Sequence, residues 1–346
     1  MVATPLDRVK RPFVRRASPD RSQHWRRAFQ LAFLALNVWI AVQFYLWVRY
    51  YETAGRTARV TRPPGVEGWL PIASLMNLKY LIMTGEAPPI HAAGMYLLIA
   101  FLMISLAARK TFCSWLCPIG TISEWLMRLG RATFGRNFAL PRWVDIPLRS
   151  LKYLLLGLFL YAVGSMSAAE IRAFLEGPYG LVADVKMLNF FRYLDLTAAV
   201  TLALLVVASV FVANFWCRYL CPYGALLGLV SLLSPLRIRR NEARCIDCAK
   251  CAIACPSVLP VDKLVQVRSA ECTGCLECVA ICPAQDALAM VAQPKRVVPD
   301  WAMAAAIVAI FLGVYAYALW AGQWHTHLPE AVLFDLIPRA QEFSHP

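Results

Sequence analysis

The stretch at residues 245–283 reads CIDCAKCAIACPSVLPVDKLVQVRSAECTGCLECVAICP and holds two runs of cysteines. Both runs follow the spacing Cys-x2-Cys-x2-Cys-x3-Cys-Pro. The first comprises Cys245, Cys248, Cys251 and Cys255, and the second comprises Cys272, Cys275, Cys278 and Cys282. Zinc sites use two cysteine pairs separated by a longer gap. Three thiols at steps of three, repeated twice, therefore point away from zinc.

The spacing is instead that of bacterial two-cluster ferredoxins, in which the fourth cysteine of one run ligates the other cluster. We therefore predict two [4Fe–4S] clusters in a small α+β domain at residues 237–296. The first cluster would take Cys245, Cys248, Cys251 and Cys282, and the second would take Cys255, Cys272, Cys275 and Cys278. Two adjacent clusters form a path for single electrons.

The composition outside this domain is that of a membrane protein. The chain of 346 residues is 59% hydrophobic and 16% charged, whereas soluble domains have about 25% charged residues. Five apolar stretches are long enough to span a bilayer. They lie near Ala28–Val48, Ala92–Ala108, Leu151–Ala168, Leu196–Phe215 and Trp301–Ala321. We predict an all-α bundle of about five spans, with a basic tail at 1–27, four helices at 28–236, and the last helix and tail at 297–346.

The net charge of +14 is explained by topology. The segments on one side of the predicted spans carry 8, 8 and 10 Lys and Arg residues, against 5, 3 and 1 on the other. The positive-inside rule then places the N-terminus and the ferredoxin domain in the cytoplasm and the C-terminus outside. No module of basic and aromatic residues accompanies the charge, so nucleic acid is not an expected partner. The first helix is interpreted as a retained anchor, since no cleavage site follows it.

Four more cysteines form a second pattern. Phe112-Cys113-Ser-Trp-Leu-Cys117-Pro118-Ile-Gly120 matches Trp216-Cys217-Arg-Tyr-Leu-Cys221-Pro222-Tyr-Gly224, at an offset of 217 − 113 = 104 residues. We interpret this as a parallel repeat of two helices and one motif, which would bring the four thiols together at the cytoplasmic membrane edge. Three hypotheses stay open for them: a further iron–sulfur centre, a redox-active or copper-binding thiol set, or structural thiols.

The order of these four motifs resembles that of the membrane polyferredoxins, the NapH, NosR C-terminal and CcoG (FixG/RdxA) type proteins, over roughly residues 28–290. The resemblance implies electron transfer at the bacterial cytoplasmic membrane. NapH-like members pass electrons from quinol toward periplasmic reductases, and NosR-like members support a periplasmic copper reductase. CcoG-like members are linked to copper reduction during oxidase assembly. We expect neither the C-terminal domain of the CcoG type nor the N-terminal flavin domain of the NosR type. The chain resembles a stand-alone polyferredoxin of the YccM kind.

The expected function is therefore single-electron relay between quinol or a cytoplasmic donor and a periplasmic redox protein, within the lipid of the inner membrane. The alternative is a copper-reducing assembly factor. Because both clusters would lie inside, crossing the bilayer requires a quinone or a partner's cofactor. Ile72–Met83 is expected to form an interfacial or re-entrant helix that could serve as a quinone site or as a lid. His91, His325 and His327 are expected near the outer face, where they are either solvated or ligands to copper or haem.

Overall fold

A computed structural model describes residues 13–17, 20–138, 140–292 and 296–345. Most of the chain is helical. The α-helices of the described residues are α1 Ser22–Glu52, α2 Pro71–Thr84, α3 Ala92–Ala108, α4 Pro118–Phe134, α5 Arg142–Ser165, α6 Ala168–Glu176, α7 Pro178–Leu181, α8 Ala183–Arg192, α9 Leu196–Phe211, α10 Pro222–Ser231, α11 Lys250–Ala254, α12 Glu277–Ala280, α13 Ala302–Trp320 and α14 Glu330–Leu336. A 3₁₀ helix at Pro64–Trp69 precedes α2, and π-helical turns lie at Phe112–Leu116 and Trp216–Leu220.

Three helices within the described ranges are long and apolar enough to cross a membrane, namely α1, the Trp143–Ser165 part of α5, and α13. A fourth candidate is the pair α8 and α9, which is bent by 80° at a short break. This supports a membrane protein with three or four candidate spans, whereas five spans stay a prediction. The difference lies in α3 and α9, which have the expected positions but only 17 and 16 residues.

Helix α3 lies at the centre of the bundle. Its bounds coincide with those predicted, and it packs against α2, α10 and α13. It is apolar on every face, as expected for a helix surrounded by protein. Twelve of its seventeen residues are buried. The hydropathy that predicts a span is therefore explained by burial among other helices as well as by lipid.

Helix α1 begins well before the apolar stretch that predicted it. A carboxylate oxygen of Asp20 accepts hydrogen bonds from the backbone N–H of Ser22, at 2.9 Å, and from its hydroxyl. The extra N-terminal turns carry Arg26, which is fully buried. Hydropathy detects only the lipid-compatible part of such a helix, so this polar extension was not predicted.

The ferredoxin part contains a four-stranded sheet of Leu236–Arg240 (β1), Gln266–Val267 (β2), Leu288–Ala292 (β3) and Arg296–Val297 (β4). The strand order is β2-β1-β3-β4, with antiparallel neighbours. Ile238 on the central strand β1 lies opposite Val267 on β2 and Met290 on β3. These three side chains are buried, and they form the apolar floor beneath the cysteine loops.

The segment before α1 packs on the ferredoxin part. Arg15 forms a β-bridge with Ala284, and the backbone N–H of Arg16 donates to the carbonyl of Pro283 at 2.9 Å. The guanidinium of Arg16 also donates to the carbonyl of Val279 at 2.8 Å. The start of α1 and the ferredoxin part therefore lie at the same end of the bundle, which we call the ferredoxin end.

Candidate functional site

The two cysteine runs form loops with the same unusual backbone. Two residues of each run have positive φ angles, Asp247 (53°) and Ala249 (56°) in the first and Gly274 (62°) and Leu276 (60°) in the second. These positions are equivalent, two and four residues after the first cysteine of each run. Three of the four residues have a Cβ atom, for which this conformation costs free energy. Alternating right- and left-handed backbone turns N–H groups toward one centre, the arrangement that binds anionic clusters.

The second predicted ligand set lines one small cavity. Cys255, Cys272, Cys275 and Cys278 all face it, and the remaining wall is mostly apolar, with Ile238 and Val267 from the sheet. The four cysteines are buried. Four thiols converging on one space from two separate runs fit a thiolate-ligated cluster. The ligand assignment itself stays a prediction.

The first predicted set lies closer to solvent. Cys282 is within electrostatic range of Cys245 and Cys248, and Cys251 is within range of Cys282. Cys248 is exposed, whereas all four cysteines of the second set are buried. The set nearer the surface is the better placed to exchange electrons with a soluble protein.

Burial sets the protonation of these thiols when no iron is bound. Loss of hydration raises the pKa of Cys255 and Cys278, and that of Cys251 to about 11. Iron binds the thiolate, so cluster assembly must displace these protons. A backbone N–H of Leu259 lies 3.5 Å from the Cys255 sulfur and would favour the charged form.

The second run is docked directly on the first Cys-x3-Cys-Pro motif. The Ser114 hydroxyl donates to the carbonyl of Thr273 at 2.7 Å, and the Trp115 indole donates to the carbonyl of Gly274 at 3.3 Å. Gln23 on α1 donates to the carbonyl of Cys275 at 2.8 Å. The cysteine loop of the second cluster is therefore held by hydrogen bonds to the helical bundle.

A buried ion pair anchors the same loop. Glu271, the residue before Cys272, accepts hydrogen bonds at 2.6 Å from the ammonium of Lys152 on α5. The Tyr153 hydroxyl donates to the same carboxylate at 3.0 Å. Although burial opposes ionisation, Lys110 and Lys152 hold the pKa of Glu271 below its usual value. Sequence reasoning missed Lys152 and Glu271, for which the only signal was a lysine inside an apolar helix.

A second buried ionic network lies on the other side of the loop. Arg26 pairs with Glu124 on α4 at 2.7 Å and with Glu277, which lies between Cys275 and Cys278. Arg128 pairs with the same two carboxylates. Each charged side chain has a partner of opposite sign. Such pairing is needed because removing a charge from water is unfavourable. Helices α1, α4 and α5 thus hold the second cysteine loop by ion pairs on both sides of Cys272 and Cys275.

The remaining four cysteines share one local structure. Cys113 and Cys217 lie in π-helical turns, and Cys117 and Cys221 end those turns. The sulfurs of Cys117 and Cys221 accept the backbone N–H three residues later, at 3.4 and 3.2 Å. Each π-helical turn is wider than an α-helical turn. A side chain at Gly120 would meet the Cys113 carbonyl at 2.1 Å, which explains the glycine.

All four of these thiols line one cavity of about 1440 Å³ between α1, α3, α5 and α13. Thr273 and Glu271 from the second cysteine run line the same cavity. The structure therefore brings the two Cys-x3-Cys-Pro motifs together beside the buried set of ferredoxin cysteines. Lys110 and Tyr223 also line this region and were not predicted, although both are within three residues of a motif cysteine.

The three histidines singled out by the sequence, His91, His325 and His327, lie at the opposite end of the bundle, which we call the far end. His91 is buried, and its Nε2 lies 2.9 Å from the carbonyl of Gly180. His325 and His327 are exposed, with ring centroids 6.3 Å apart, and both line the far end of the cavity. In the described part of the chain, no three His, Cys, Asp or Glu side chains are grouped as a single metal ion requires.

The predicted helix near Ile72–Met83 is present as α2.

Comparisons with known proteins identify both sets of motifs. The family described as "4Fe-4S binding domain" matches residues 90–137 and 194–241, and the family "4Fe-4S dicluster domain" matches 238–290. The chain is 52% identical to YccM of Escherichia coli (strain K12), a protein named for a proposed role in electron transport. The match covers 93% of this chain and 92% of YccM.

More distant relatives are matched in part. The ferredoxin-type protein NapH of Escherichia coli (strain K12) is 30% identical, over 53% of this chain and 59% of its own. The regulatory protein NosR of Pseudomonas aeruginosa is 36% identical, over 42% of this chain and 20% of its own. No solved structure gives a significant match. The chain belongs to the membrane polyferredoxin family and is a membrane protein with two [4Fe–4S] clusters.

Proposed function

We propose that the chain relays single electrons between its two ferredoxin clusters and a redox system on the other side of the membrane. The observation that carries this proposal is the direct contact between the second cysteine run and the first Cys-x3-Cys-Pro motif. Ser114 and Trp115 bind the backbone of Thr273 and Gly274 between two cluster cysteines. A storage or scaffold role would not require the buried cluster to face the membrane helices.

The burial of the cysteines supports an order of transfer. The cluster at Cys245, Cys248, Cys251 and Cys282 lies nearer solvent, and the cluster at Cys255, Cys272, Cys275 and Cys278 lies at the bundle. Electrons would exchange with a soluble donor at the first cluster and pass to the second. This ligand assignment is the one expected for bacterial two-cluster ferredoxins.

The four thiols of Cys113, Cys117, Cys217 and Cys221 would continue the path. They line the same cavity as Thr273, so a centre held there lies next to the second cluster. A third iron–sulfur cluster and a reactive or copper-binding thiol set are the two redox hypotheses for this site, and structural thiols are the third hypothesis. The first extends the relay, and the second makes the site a reductase of copper.

The proposed topology completes the relay. Five spans, with the ferredoxin end in the cytoplasm and the tail after α13 in the periplasm, follow the distribution of Lys and Arg in an inner-membrane protein. Oxidation of one quinol to quinone releases two electrons and two protons, and the two clusters accept one electron each. A periplasmic redox protein would be the other partner.

The relay is tested by reducing the purified protein with quinol and recording the EPR spectrum of the clusters. We expect the spectrum of two interacting reduced [4Fe–4S] clusters and at least eight iron atoms per chain, four for each cluster. Iron well below that number would contradict the cluster assignment.

The variant Cys113→Ser/Cys217→Ser separates the two redox hypotheses for the four-thiol site. If that site extends the relay, quinol-linked cluster reduction is lost in the variant while dithionite still reduces both clusters. If quinol-linked reduction survives and reduction of Cu²⁺ disappears, the relay proposal is wrong and the copper-reducing assembly factor is favoured.

A further inference from the structure

The cavity that reaches the four thiols extends along most of the bundle. Its wall includes α1 residues from Phe33 to Tyr51. Eighteen helical steps of 1.5 Å correspond to about 27 Å, close to the hydrocarbon thickness of a bilayer at about 30 Å. The lining between its ends is mostly apolar, with Trp39, Ile72, Phe159 and Phe311 among its residues. Such a cavity suits a long apolar chain.

The ferredoxin end of this cavity carries two polar groups that have no partner. The side chain of Lys110 is 4% exposed, lines the cavity, and makes no hydrogen bond or ion pair with any described residue. The Tyr223 hydroxyl likewise has no hydrogen-bond partner among the described residues. The Tyr223 ring is held edge-on to Phe101 and Phe112, at 6.5 and 6.0 Å between centroids.

The thiols of Cys113, Cys217 and Cys221 lie within electrostatic range of the Lys110 ammonium, but no described residue makes a hydrogen bond to it. The Glu271 carboxylate is also within electrostatic range of Lys110, but it is bound by Lys152 and Tyr153 and forms no ion pair with Lys110. Burying an ammonium without a hydrogen-bond acceptor is unfavourable, so an acceptor supplied by a ligand would stabilise it. The Tyr223 phenol lines the same cavity and can serve as a second donor. Two donors at the end of an apolar cavity fit carbonyl oxygens on a ligand with a long tail.

We propose that the ferredoxin end of the cavity binds the headgroup of a quinone, with Lys110 and Tyr223 donating to its oxygens and the isoprenoid tail lying along α1. The site lies beside the four thiols and the loop of the second cluster, where electron exchange needs it. This inference deepens the proposed function and rests on it for the identity of the redox partner. It places the quinone at the opposite end from the α2 segment suggested by the sequence.

Binding is measured on the purified, oxidised protein in detergent, by quenching of tryptophan fluorescence on titration with decylubiquinone. Loss of a charge-assisted hydrogen bond predicts that Lys110→Met weakens binding about tenfold to a hundredfold. Tyr223→Phe removes only the hydroxyl, and we expect about fivefold weaker binding. The second variant keeps the test valid if Lys110→Met does not fold. Iron content and the dithionite-reduced EPR spectrum report whether each variant retains its clusters.

The matched control is His325→Gln, which changes a polar group at the far end of the same cavity. We expect it to bind decylubiquinone as the unchanged protein does. Normal binding by Lys110→Met together with weak binding by His325→Gln would overturn the proposal, because the headgroup would then lie at the far end. Retention of phospholipid, with no quinone binding, would also overturn it, since the cavity would be a lipid site.

The outcomes for binding and for relay are separable. If quinone binding depends on Lys110 but quinol never reduces the clusters, the proposed function fails and the site stands. If quinol reduces the clusters equally in the Lys110→Met variant and the unchanged protein, the relay stands and this site is wrong.

Discussion

The buried pair of Lys152 and Glu271 provides a quantitative test of how the ferredoxin part is held. Lys152 is fully buried, and both oxygens of the Glu271 carboxylate lie 2.6 Å from its ammonium. Lys152→Met removes the charge at nearly constant volume and leaves a buried carboxylate with Tyr153 as its hydrogen-bond donor. Breaking such a pair costs about 3–5 kcal/mol, most of it from the charge left unpaired.

The double variant Lys152→Met/Glu271→Gln removes both charges and should recover most of that loss, because no unpaired charge remains buried. The assay is urea-induced bleaching of the cluster absorbance, which reports release of the ferredoxin part. Arg172→Met is the matched control, since its partner Glu176 and Arg172 itself are exposed. An exposed pair contributes little to stability, because water and salt screen its charges.

The double variant also decides whether the reasoning is right. If Lys152→Met alone costs no more than the Arg172→Met control, the pair does not hold the loop. If the double variant is less stable than Lys152→Met, the loss does not come from an unpaired charge. Either result would refute the account of this interface.

Two further predictions concern the same loop. Gly274→Ala places a Cβ atom at a residue with φ +62°, where it would lie 2.7 Å from the Thr111 methyl. We therefore expect stability in urea-induced bleaching to fall by at least about 1–2 kcal/mol. The control Gly135→Ala has φ +72° but open space around it, so it should show only the cost of the backbone conformation. The lowered pKa of Glu271 means that its ionic contribution is complete above the unfolded value near 4.3 and is lost as the pH falls through the lower folded value. We therefore expect the resistance of the unchanged protein to urea-induced bleaching to fall below about pH 4.3. The Glu271→Gln variant should lack that part of the pH dependence. Identical pH curves for the two proteins would contradict this prediction.

The sequence was most informative where function fixes the spacing of one residue type. The cysteine runs alone predicted two clusters, and the apolar stretch at Ala92–Ala108 predicted the bounds of α3. The backbone that makes the loops work, with positive φ at Asp247 and Leu276, has no compositional signal in residues other than glycine. Its signal is the equivalence of these positions in the two runs.

The ionic contacts of the site could not be predicted from sequence. Lys152 and Glu271 are 119 positions apart, and the pair forms only because the second run docks on α5. Arg26 and Lys110 counted as positive charge on the predicted cytoplasmic side, yet both are buried beside cysteines. A charge count predicts the side of the membrane, and the packing of helices decides which charges are buried.

The β-bridge between Arg15 and Ala284 has a consequence for how the protein is made. The contact of Ala17 with Gln285 spans 268 residues, and a ribosome adds about 5–20 residues each second. The segment before α1 therefore waits roughly 13–54 s after its synthesis before its partner exists. During that interval the first transmembrane helix can insert, but the cysteine loops cannot be completed. Iron–sulfur assembly on this chain must then follow translation of the ferredoxin part, with the segment before α1 closing over it as a late step.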